Sequence, residues 1–280
     1  GLLSSYTCSD RNRVGTMDSK IEKTLLSINN VFFKYDLKTV LNDFELTISQ
    51  GELVGIEGPN GCGKSTLLKL INGMMHPSKG KVLVDYKIPN TSDRKFKPFM
   101  HKIGYIPQNL GLIKNSTVLE NILIGALPRV NGFNSFFKKF SDSEIKNAKK
   151  ILKQVGLQGK DERKIYMLSG GEKRRVAIAR ALVQKPESIL ADEIVSELDH
   201  MTAREIMDVL AEAQSTMKLT AIMVHHDLQL ALEYADRVAV IKEGEKILEI
   251  GVEADRIVDF QTGNYTQKEI LEMFNTESKE

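Results

Sequence analysis

The spacing of hydrophobic positions changes character along the chain. From Thr24 to Ile56 apolar and polar residues alternate loosely. "LLSINNVFFKY" and "FELTISQGELVGIEG" are rich in β-branched and aromatic residues and carry a turn at 49–51, which predicts short strands. The last of these, Leu53 to Ile56, is continuously apolar and runs into "GPNGCGKSTLLKLINGM", where Thr66 to Ile71 has helical spacing. "KIGYIPQ" (Lys102–Gln108) predicts another strand. Helical periods then dominate from Thr117 to Gly156, interrupted by a "GALPRVNGF" loop. "SDSEIKNAKKILKQVG" opens on a capping box, Ser141 with Glu144, and places Ile145, Ala148, Leu152 and Val155 on one face before a stop at Gly156. A helix from Glu172 to Gln184 ends before Pro186. Strands "SILAD" and "TAIMVHH" then alternate with a helix at Ala203–Ala213. Strands alternating with helices imply an α/β domain whose parallel sheet is covered on both faces. Residues 117–167 read as a helical subdomain inserted in it, and "TQKEILEMFNTESKE" as a terminal helix with a frayed end.

Composition adds exclusions. The 280 residues include 39 basic and 37 acidic side chains, a formal net charge of +2, which argues against a dedicated nucleic-acid binder. The 2 cysteines, Cys8 and Cys62, are too few for a disulfide framework and point to a reducing compartment. No apolar run approaches the roughly 20 residues that span a bilayer. The first stretch lacks the apolar core of a signal peptide and reads as a disordered tail, residues 1–20. Met17 is the expected start, with residues 1–16 a cloning remnant or an alternative extension.

Gly58–Ser65 fits G-x-x-x-x-G-K-[ST] between a predicted strand and a predicted helix. Its glycines let backbone N–H groups converge on a β-phosphate; Lys64 reaches the β- and γ-phosphates, and the Ser65 hydroxyl can ligate Mg²⁺. Cys62, inside this loop, is expected as a thiolate because N–H groups and Lys64 surround it. "ESILADE" closes a strand on Asp192 and Glu193: one carboxylate suits a Mg²⁺ site through water, the next can polarise the attacking water. "LSGGE" supplies a second small-residue turn at a helix start, a second place for a phosphate. Lys173, Arg174 and Arg175 after it read mainly as a solvated helix face.

Phosphate loop, "LSGGE" and "ADE…LD", in that order, resemble the nucleotide-binding subunit of ABC transporters over roughly Thr24 to Gly251. The resemblance implies a P-loop NTPase: a RecA-like core with a parallel sheet, an N-terminal antiparallel β-subdomain, and an inserted α-helical signature subdomain at about 112–170. The ATPase domain would span 21–251, followed by a helical tail, 252–280. The resemblance implies that Gly58, Pro59, Asn60, Gly61, Cys62, Gly63, Lys64, Ser65 and Thr66 hold ATP, with Tyr35 stacking on the adenine. Ser65, Gln108 and Asp192 would hold Mg²⁺, and Glu193, His226 and Lys64 would carry catalysis. Ser169, Gly170, Gly171 and Glu172 would meet the γ-phosphate, and "SELD" (Ser196–Asp199) would link two sites. The partners implied are a second copy, or a homologous ATPase subunit, in a head-to-tail dimer, and an integral membrane permease. The chain would sit in the cytoplasm, peripheral on the inner face of the membrane. In such a dimer the two phosphate-holding turns of different chains serve one ATP.

"NILIGALPRVNGFNSFFKKFSDSEIKNAKKIL" and "ADEIVSELDHMTARE" look like the ATPases of phosphonate or phosphate-ester importers. Lipoprotein-release and cell-division ATPases, and a soluble ATPase serving iron–sulfur assembly, are the alternatives. The sequence departs from the family pattern at Ile194 and Val195, where Pro and Thr are common, so the turn after Glu193 lacks a ring-locked φ. His225 replaces the usual Thr, and Glu172 a more frequent Gln.

Overall fold

The computed structural model describes residues 23–127, 140–253, 256–259 and 263–265. The predicted N-terminal tail, much of the "GALPRVNGF" loop and the predicted terminal helix at 266–280 lie outside these residues.

The first layer is the expected antiparallel subdomain. β1 (Thr24–Tyr35) pairs with β2 (Lys38–Ser49), and β3 (Leu53–Glu57) leads away into the core. α1 (Lys64–Ile71) and β4 (Lys79–Val84) follow, and β4 pairs with the other edge of β1. Alternation is loose here because paired bulges interrupt it. Asn30 and Asp43 take φ of 47° and 48°, and the register jumps from Ile28↔Leu46 to Val31↔Phe44. A bulge moves the two-residue period by one step, which keeps Ile28, Val31 and Phe33 all buried.

The core sheet runs, edge to centre, from β5 (Ile103–Ile106) through β6 (Ser188–Asp192) and β7 (Thr220–Val224) to β3 and then β8 (Arg237–Lys242), all parallel. β3, β6 and β7 are buried at every position, the mark of strands covered on both faces. The sheet is not wholly parallel, however. β9 (Glu245–Glu253), β10 (Arg256–Asp259) and β11 (Gly263–Tyr265) extend it as an antiparallel meander. The expected helical tail at 252–280 is therefore strand wherever it is described. The signal lay in "KEGEK": Glu243 and Gly244 at φ 50° and 83° form a two-residue turn that pairs Lys242 with Glu245.

The helical subdomain holds α2 (Val118–Ile124) and α3 (Asp142–Gln154), followed by α4 (Gly170–Leu182). The Ser141 hydroxyl accepts the Glu144 N–H as predicted, and Ala148, Leu152 and Val155 are buried, while Ile145 is half-buried. α4 packs on α2 and α3 at one side and on β5 and α5 (His200–Met217) at the other. It thereby joins the subdomain to the core. α6 (Leu228–Tyr234) closes the fold against β3 and β8.

Candidate active site

The C-terminal ends of β3, β6 and β7 lie side by side, with Ile56 opposite Val224 and Val224 opposite Asp192. This edge is where a parallel sheet presents its ligand site. The loop leaving β3 needs its glycines. Gly58 has φ 154°, and a Cβ there would lie 2.2 Å from the Ile241 carbonyl oxygen; at Gly63, φ 112°, it would lie 2.9 Å from that of Val40. Pro59, Asn60 and Gly61 form the exposed crest, while Cys62, Lys64 and Thr66 are buried. The Lys64 ammonium donates to the carbonyl oxygens of Gly58 (2.6 Å) and Pro59 (3.1 Å), so the loop itself aims it inward.

The predicted metal-holding residues meet around Asp192. Ser65 Oγ donates to Asp192 Oδ1 at 2.9 Å, and Tyr105 Oη donates to Asp192 Oδ2 at 3.4 Å. Burial, and then the Asp192 charge, push the Tyr105 phenol up to about 12, so it stays a donor. Ser65, Tyr105, Gln108, Asp192 and Ser196 line one cleft of about 510 Å³. A hydroxyl and one carboxylate suit Mg²⁺, a hard cation that keeps waters and shares phosphate oxygens. Gln108, however, gives its amide to the next carboxylate, Nε2 donating to Glu193 Oε2 at 2.7 Å.

Glu193 itself sits at φ 48°, a costly conformation for a residue with a Cβ. Its N–H donates to the Val224 carbonyl (2.8 Å), and the Ser196 hydroxyl donates to its own carbonyl (2.7 Å). Ile194 and Val195 are 3% and 7% exposed, anchoring the turn in the core despite the missing proline. A second cleft, about 270 Å³, is lined by Tyr35, Lys38, Gly63, Lys64, Thr66 and Glu193. Tyr35 is 42% exposed there, edge-on to Phe33, so it is not a core residue. His226 is exposed at the same sheet edge, two residues beyond Val224.

The second turn lies elsewhere. Ser169 caps α4 in a full capping box with Glu172 and is exposed, as is Gly170. Neither Ser169, Gly170 nor Gly171 lines either cleft. The Glu172 carboxylate is engaged within its own chain: it accepts the Ser169 N–H (2.9 Å) and pairs with Lys160, the two contacts that lower its pKa most.

Three sequence expectations change. Burial raises the Cys62 thiol against the pull of Lys64 and backbone N–H groups, so it is not an activated thiolate. Arg174 is no solvated side chain: Nε donates to the Ile194 carbonyl and Nη2 to that of Ser196. Arg175 likewise binds the Val155 carbonyl and Glu205. A buried pair also went unseen, Glu57 and His225, with Oε1 and Nδ1 3.2 Å apart. Its signal was a lone acid closing an otherwise apolar strand.

A phosphate loop after a central strand, an acid pair at the end of β6 two strands away and a glutamine hydrogen-bonded to one of those acids define a P-loop nucleoside-triphosphate hydrolase. Within that class the ABC transporter family model matches residues 41–196. The chain is 37% identical over 222 residues to the phosphonates import ATP-binding protein PhnC of Alcaligenes faecalis, covering 79% of this chain and 80% of that one. A PhnC of Halalkalibacterium halodurans is 36% identical over 227 residues, covering 80% and 88%. In structure it matches cbiO1 of Clostridium perfringens, part of the cbiONQ transporter complex, with a TM-score of 0.74 at 31% identity over 91% of this chain and 96% of that one. The dimeric post-hydrolysis structure of the cassette MJ0796, bound to ADP and Pi, matches at 0.71 and 32% identity, over 82% and 100%. The chain belongs to the ABC transporter family, as one of its ATP-binding and ATP-hydrolysing subunits.

Proposed function

We propose that this subunit powers uptake of phosphonates through a separate membrane permease, working as a head-to-tail dimer with Mg²⁺ at Ser65, Asp192 and Gln108. The cargo follows the relatives' names. The dimer is supported by one observation: the catalytic groups converge on one sheet edge, while Ser169 and Gly170 stand exposed on another part of the chain. Each signature turn then completes the site of the partner. Among the described residues no helix is long and apolar enough to cross a membrane, so coupling to transport falls to the permease, with this subunit attached at the inner face. The ATPase unit is 21–251 continued by the strands that follow.

Lys64 and the N–H groups of Gly61 and Gly63 take the phosphates, and Tyr35 receives the adenine at the cleft mouth. When bound, Mg²⁺ neutralises charge on the transferring phosphoryl group. Glu193 accepts the proton of the attacking water, Gln108 orients that carboxylate, and His226, two residues beyond β7, serves the reacting end. The test is Glu193→Gln. An amide keeps the shape but takes no proton, so turnover should fall roughly 10²-fold or more, and Mg-ATP should drive the chain into a stable dimer on gel filtration. Near-normal turnover would remove Glu193 from this role.

A further inference from the structure

We propose that Arg174 is the positioning residue for Glu193, fixing the catalytic turn by tying its backbone to the signature helix. The inference rests on the assignment of Glu193 as the proton acceptor. Glu193 occupies a left-handed conformation, and no proline ring stiffens the turn that follows. Buried Ile194 and Val195 anchor that turn in the core, and its carbonyls are held in addition from α4. The Arg174 guanidinium does so with a fork of donors: Nε to the Ile194 carbonyl at 2.5 Å and Nη2 to the Ser196 carbonyl at 2.6 Å. Its third nitrogen, Nη1, lies 3.3 Å from the Gly170 carbonyl, in the first turn of α4. A planar, permanently charged fork loses little freedom when it spans two carbonyls. The first carbonyl belongs to the residue directly after Glu193, and the second to the residue whose hydroxyl binds Glu193's own carbonyl.

Two consequences follow. The carboxylate is held from its backbone by Arg174 and from its tip by Gln108, so loss of either lets it swing. The same guanidinium also joins the signature turn, which serves the partner's ATP, to the residue that works on the chain's own ATP. Sharing one side chain gives the two sites of the dimer a short mechanical route. Arg174 touches no reacting atom itself. Its contribution is geometric, and displacing a catalytic group by about 1 Å can slow a reaction roughly 10²-fold.

The experiment measures ATPase kcat, KM for ATP and equilibrium ATP binding on the full chain, for wild type, Arg174→Ala, Arg174→Lys, Glu193→Gln and Arg174→Ala/Glu193→Gln. Arg174→Ala should lower kcat on the order of tenfold to a hundredfold, with KM and ATP binding near their wild-type values. Arg174→Lys, a single point donor, should recover part of the loss. The double variant should be no slower than Glu193→Gln, because Arg174 acts through Glu193. If Arg174→Ala does not fold, Arg174→Gln, which keeps two donors on one nitrogen, carries the same comparison. A dead Glu193→Gln beside an Arg174→Ala with wild-type kcat, or with kcat and ATP binding falling together, overturns this inference alone. Normal turnover in Glu193→Gln overturns the catalytic assignment and this inference with it.

Discussion

Replacing His225 by glutamine should relieve this fold of a specific sensitivity to acid. The ring is 2% exposed, with Nδ1 accepting the Asp227 N–H at 3.2 Å and lying 3.2 Å from Glu57 Oε1. Its Nε2 is buried without a partner. Burial foremost opposes a charge there; Asp227 favours it, and His226 and Lys64 oppose it, so the pKa falls from 6.5 to about 4. The unfolded chain then binds the proton more readily than the folded one between those values, and stability drops as pH falls through that window. At about 1.4 kcal/mol per pKa unit, lowering pH from 7.5 to 5 should cost about 2 kcal/mol through this ring alone. Glu57 works in the opposite sense. Burial raises its pKa well above 4.5, so its proton stabilises the fold at acid pH and that contribution is lost as pH rises. Wild type and variant both carry Glu57, which cancels to first order in their comparison. Urea unfolding of each at the two pH values gives the four free energies needed. Wild type should lose about 2 kcal/mol more than His225→Gln on acidification. Equal losses would show that the ring is not held neutral by the fold, and would refute the reasoning.

Tyr35→Ala should weaken ATP binding by on the order of 1–3 kcal/mol, the range for a base stacked on an aromatic ring, as read by calorimetry; unchanged affinity would exclude the stacking role. Mixing Lys64→Ala with Ser169→Arg, each inactive alone, should restore one intact composite site per mixed dimer. Recovery of neither ATP-dependent pairing nor turnover, with mixed dimers confirmed by cross-linking, would count against shared sites.

The sequence alone determined the local chemistry of this protein. Strand, glycine turn and helix over 53–71, the acids ending "SILAD" and the Ser141 cap were legible because each depends on neighbours a few residues away: a φ that only glycine takes freely, an N–H within reach of a hydroxyl, an apolar run too continuous for a surface strand. The order of these pieces was specific enough to carry the family as well. What the tertiary structure decided is which distant side chains meet. Glu57 finds His225 only because β3 pairs with β7 in the register Ile56↔Val224, and Ser65 reaches Asp192 because β6 lies beside β7. Arg174 turns from a polar helix position into a side chain bonded to the turn after Glu193 because α4 packs between the helical subdomain and the core. The meander after Lys242 was readable from its turn but was lost beside the helix expected at the end of the chain. Periodicity reports whether a position faces water or core; strand order, which brings distant segments within hydrogen-bond reach, leaves no period behind.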